Sequence, residues 1–248
     1  MLSPANGFDP KTGTATYSDD FLKRFHAAQS ARNMQYINLA MERQKLVDRG
    51  EGNFAGSEPL VIPGAVNHED AVSPYRTDMR LLSRTKGPRL HLRADGAIRE
   101  EIVHSVRPPR GAAAMDAIGV LTGALNYTMR HWLINDAIRT TPDFAAKEDD
   151  LVGVDWASSI DSPPTNAEHI TIPTLVVTNT CYRLLVTTDI MFDHLAARDK
   201  TFAAVEGALH NFTPCKPEFG DTKKRAFDFM DSWLSKPGRF LEQSRSNQ

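Results

Sequence analysis

The chain has 248 residues, 41% of them apolar and 24% charged, with 29 basic side chains against 31 acidic ones, a length that suits one large domain or one domain with an inserted subdomain. A net charge of −2 with histidine neutral supplies no basic field to steer the chain to nucleic acid. No apolar run approaches the ~18 residues needed to span a bilayer, and Met1 to Gly7 lacks the basic head and apolar stretch of a secretory signal.

In chain order, Asn6 to Gly13 is rich in Gly, Pro and Asx residues and reads as loop. Ser18 then precedes Asp19 and Asp20, an N-cap hydroxyl followed by carboxylates at the positive end of a helix dipole. Phe21, Leu22, Phe25, Ala28, Arg32, Tyr36, Leu39 and Ala40 recur at spacings of three and four, predicting a long amphipathic helix over residues 19–49, stopped by Gly50 and Gly52. Residues 51–88 hold no sustained period and read as an irregular connection, with room for one turn of helix, punctuated by Pro59, Pro63, Pro74 and Pro88. Leu90 to Arg93, then Ala94-Asp95-Gly96, then Ile98 to Val106 predict a hairpin. A second helix is expected over residues 111–139, with Ile118, Leu121, Leu125, Met129, Trp132, Leu133 and Ile138 on one face, followed by loop over 140–169.

The last eighty or so residues carry the clearest pattern. Ile172 to Val177 is a short β-branched run of the kind buried on both faces of a sheet. Thr188 to Ala197 reads as helix and Thr201 to Gly207 as a second strand. Asp221 or Thr222 caps a last amphipathic helix that Pro237-Gly238 ends. Strand, helix, strand and helix at this spacing form a βαβ crossover with parallel strands. The expected class is α/β.

Ligands of open parallel sheets sit at the carboxyl ends of the strands. The turn Gly207-Ala208-Leu209-His210 follows the last strand directly and projects an imidazole there, where a general base would be useful. Cys181 and Cys215 are too few for a disulfide framework, so free thiols in a reducing, cytoplasmic compartment are expected, with Cys181 a buried structural thiol. The segment Gly50 to Gly56 nearly matches a dinucleotide fingerprint but follows a helix rather than a strand. Histidines 91, 104, 131, 169 and 194 show no metal-ligand spacing, so neither a metal nor a cofactor is expected.

Ile170 to Val177 and Val205-Glu206-Gly207-Ala208-Leu209-His210, followed by a capped helix reaching Trp233-Leu234, resemble the closing part of the α/β-hydrolase fold over residues 167–236. The resemblance implies a partial α/β-hydrolase core at 167–248, with 1–166 as a lid or insertion whose long helices roof an apolar pocket above His210. It also implies hydrolysis of an ester, thioester, lactone or amide of a small organic molecule, with His210 as the triad base. Two departures stand out. No Gly-x-Ser-x-Gly elbow occurs in the chain, so an N-terminal half bearing the nucleophile is expected to be missing. Counting back about 28–31 residues from His210 reaches Asn179, Cys181 and Tyr182 rather than a carboxylate. Asp189 is the nearest acid downstream and the candidate to orient His210, ahead of Asp193 and Asp199. The alternative is a truncated, non-catalytic remnant or scaffold. A sheet that ended at its second parallel strand would expose an edge, and a homo-oligomer is one expected outcome.

Overall fold

The computed structural model describes residues 1–51, 59–63, 74–109 and 124–240. A 3-10 turn at Pro4–Asn6 leads into the short ladder of β1 (Phe8–Asp9) and β2 (Thr14–Ala15), then the long helix α1 (Asp19–Asp48). Next come β3 (Pro59–Pro63), the single helical turn α2 (Pro74–Thr77), and the hairpin of β4 (Arg89–Leu92) and β5 (Ile98–Glu101). Strand β6 (Ala124–Thr128) runs into α3 (Met129–Asn135), and β7 (Arg139–Ala146) pairs with β8 (Leu151–Asp155). After α4 (Pro163–Ala167) follow β9 (Thr174–Asn179), α5 (Leu185–His194), β10 (Lys200–Val205) and α6 (Thr222–Leu234). No helix among the described residues is long and apolar enough to cross a membrane.

The chain divides into two compact units, Met1–Ser83 with Pro108–Asn166, and Arg84–Arg107 with Ala167–Gln248. This corrects the expected division at 166/167, which leaves the hairpin in the first region. The hairpin belongs with the C-terminal sheet because β4 is hydrogen-bonded to β10.

In the first unit, the Ser18 hydroxyl accepts the Phe21 N–H at 3.2 Å and starts α1 as expected. The buried stripe differs from the expected one. It runs through His26, Ser30, Ile37 and Ala40, while Leu39 is exposed. Ile37 and Ala40 pack with Leu60, Ile62, Met129, Trp132 and Ala137, and Ser30 enters the buried face because its hydroxyl donates to the Thr141 carbonyl at 2.9 Å. Three further expectations are overturned. The connection 51–88 contributes β3, which lies antiparallel to β6 with Leu60 opposite Tyr127. The expected helix 111–139 is helical only over Met129–Asn135 among its described residues, with Thr128 capping it by accepting the His131 N–H. Residues 111–123 of that expectation, like Gly52 to Gly56 of the near-fingerprint, lie outside the described residues. The expected loop 140–169 holds β7 and β8, whose register shifts between Thr140 and Ala145, so Pro142 lies at the irregularity where no ladder N–H is required.

The second unit is a four-stranded mixed sheet in the order β5-β4-β10-β9, parallel from β4 to β9, with β5 antiparallel at one edge. Gly96 (φ +85°) supplies the turn conformation that Asp95-Gly96 predicts. Successive residues of β10 face opposite sides: Phe202 and Ala204 join the cluster of Val176, Leu185, Phe192 and Leu195, whereas Ala203 and Val205 join Leu92 and Ala226. This two-sided burial is why the strand reads as a continuous apolar run. The sheet does not end at its second parallel strand; β4 covers that side of β10.

Candidate active site

The carboxyl ends of β9 and β10 carry two turns that are tied together. The Gly207 N–H donates to the Thr180 hydroxyl at 2.8 Å, and the Cys181 N–H donates to the Ala208 carbonyl at 3.0 Å. The Cys215 N–H closes the loop on the Gly207 carbonyl at 2.9 Å. Gly207 has φ +71°, and a Cβ there would lie 1.9 Å from Cγ of Phe219, so the position admits only glycine without rearrangement. Cys181 and Cys215 form a disulfide that spans the same two turns. That overturns the expected free thiols, and with them the argument for a reducing compartment. The pairing was hidden because 34 residues separate the two cysteines and only the sheet brings their turns together.

His210 stands on the outer part of this loop. Its side chain is exposed, and its ring lies 5.0 Å from that of Tyr182 at a tilt of 38°. No hydrogen-bond partner for the imidazole occurs among the described residues. Tyr182, whose hydroxyl accepts from Arg183 Nε at 3.3 Å, occupies the stretch where the acid was sought. Sequence reading did not find it as the partner of His210; its adjacency to the strand end was the available signal.

Asp189 is not joined to His210. On α5 its side chain is 1% exposed; Oδ1 accepts from Arg89 Nε at 2.6 Å and Oδ2 from the Lys86 N–H at 2.8 Å. The same guanidinium reaches Asp193 at 2.5 Å and stacks over Phe192 and Phe202. Burial pulls the Arg89 pKa down, but hydrogen bonding and attraction from Asp189 and Asp193 outweigh it and leave the pKa above the ordinary arginine value. Asp199 pairs with Arg239 at 2.8 Å. All three acids considered from sequence are therefore engaged by arginines. No cluster of three or more His, Cys, Asp or Glu side chains suited to a metal ion occurs among the described residues.

No protein-family model, curated protein or solved structure matches the chain.

Proposed function

We propose that the second unit is the C-terminal part of an α/β-hydrolase-type core, acting on an ester, thioester, lactone or amide of a small organic molecule. The observation that carries the reading is the imidazole of His210, held by a glycine-dependent turn at the carboxyl end of the last parallel strand. In that role one imidazole nitrogen takes the proton of an attacking hydroxyl, and the imidazolium returns it to the leaving group as the acyl bond breaks. Asp189 has no part in this. The Tyr182 ring lies beside the imidazole, 5.0 Å away.

A fluorophosphonate probe with mass-spectrometric mapping tests the reading on the intact chain. Because the chain has no Gly-x-Ser-x-Gly elbow, the expected result is one covalent adduct on a hydroxyl outside such a motif, lost in His210→Ala while the circular-dichroism spectrum is retained. A folded protein that stays unlabelled, and cleaves neither nitrophenyl esters nor thioesters, overturns it. The second reading, a non-catalytic scaffold, would then stand. It is favoured by one specific observation: Asp189, Asp193 and Asp199 all face arginines rather than His210.

A further inference from the structure

The first unit contains a cleft of about 340 Å³, walled by α1, β3, α3 and β7. Its apolar lining is Tyr36, Trp132, Phe144 and Ile62. Ligand pockets begin near about 300 Å³, and benzene fills a cavity of about 150 Å³, so the space suits one to two fused rings. Three aromatic side chains favour a flat occupant that offers its faces and edges to theirs.

Some polar groups of the lining are open to a ligand. Trp132 is only 5% exposed, yet its indole N–H has no acceptor among the described residues. The indole nitrogen is not among the buried polar atoms that lack a partner, so it keeps access from the cleft and can donate to an occupant there. Asn33 donates from Nδ2 to the Ile138 carbonyl at 2.8 Å, which leaves Oδ1 as an acceptor. The Gln29 amide and the Tyr36 hydroxyl also have no hydrogen-bond partner among the described residues. Arg32 and Asp136 bring one charge of each sign, so the cleft selects no net charge.

We propose that this cleft binds a neutral, flat molecule of one to two fused rings carrying a hydroxyl or carbonyl oxygen, of the phenol type. The oxygen accepts from the Trp132 indole N–H, a hydroxyl proton goes to Asn33 Oδ1, and the rings lie among Tyr36, Trp132 and Phe144. The site is independent of the reading given to His210.

Titration of the whole protein with naphthol, followed by calorimetry and by the indole N–H resonance of Trp132, provides the test. Saturable binding at one site near about 1 mM or tighter is expected, with a shift of that resonance. Trp132→Phe keeps a ring and removes the N–H, and is expected to weaken binding roughly tenfold. Gln29→Ala alters a side chain with no partner, so it tests the cleft even where the tryptophan variant fails to fold; severalfold weakening is expected. His210→Ala binds naphthol as the parent does. Three outcomes overturn the proposal: no saturation up to the solubility of naphthol, equal binding of the saturated decahydronaphthol, or affinity unchanged in every folded cleft variant.

Discussion

His26 shows how a single polar side chain can be held on a buried helix face. It is 4% exposed on α1, lies 5.7 Å from the Phe144 ring in an edge-on arrangement, and has no hydrogen-bond partner among the described residues. Burial disfavours its charged form and holds its pKa below the ordinary histidine value. Between that depressed value and the unfolded value of about 6.5, the unfolded chain binds more protons than the folded one. The stabilisation from a neutral His26 is therefore complete above about pH 6.5 and is lost as pH falls through the folded value. Urea denaturation of the parent between pH 7 and 5 is expected to show falling stability, and His26→Phe should flatten the profile across that window. Equal slopes in the two proteins would mean that His26 is not held neutral by the fold.

The contact between α5 and β4 rests on a buried ion pair rather than on apolar packing alone. Arg89, on the strand, crosses to Asp189 on the helix and is sandwiched against Phe192 and Phe202. Removing Asp189 leaves the largely buried Arg89 guanidinium with Asp193 alone and takes the acceptor from the Lys86 N–H. Asp189→Ala is therefore expected to cost about 3–5 kcal/mol in chemical denaturation. A loss of hydrolysis with stability unchanged would instead return Asp189 to a catalytic role. This element-level device was illegible in the sequence because its partners are one hundred residues apart. The same limit hid β3 against β6, since that pairing depends on a distant partner; β7 and β8 are neighbours in the chain, and the register shift between Thr140 and Ala145, with Pro142 inside it, broke the alternation that marks a hairpin. What was legible is local: the Ser18 cap, the Asp95-Gly96 turn, the two-sided run of β9, whose Val176 and Val177 join opposite clusters, and the parallel crossover to β10. His210 belongs to that group, because Gly207 and the strand end announce its turn. Its surroundings do not, because Tyr182 and the Cys181–Cys215 bond reach it only through the folded sheet.

At the scale of the whole molecule, the chain is interleaved: Arg84–Arg107 interrupts the first unit and completes the second. The consequence is a folding dependence that a simple cut of the sequence would miss. In residues 167–248 alone, β10 would lose β4 along its C-terminal half, from Ala203 opposite Leu90 to Val205 opposite Leu92. Leu92 would be missing from one face of the core and Val103 from the other. The bond from the Glu206 N–H to the Leu92 carbonyl would go as well, just before the turn that carries His210. Two parallel strands with two helices bury too little to offset the ordering of some eighty residues, each costing about 1–2 kcal/mol in backbone entropy. A fragment of residues 167–248 is therefore expected to give a poorly dispersed amide spectrum and no cooperative thermal transition. Joining residues 84–107 to it through a flexible linker should restore both, because the segment supplies the missing ladder and both missing core residues. Dispersed amides and a cooperative transition in the shorter fragment would show that β9, α5, β10 and α6 are self-sufficient, and that the hairpin is an accessory to the sheet rather than part of its core.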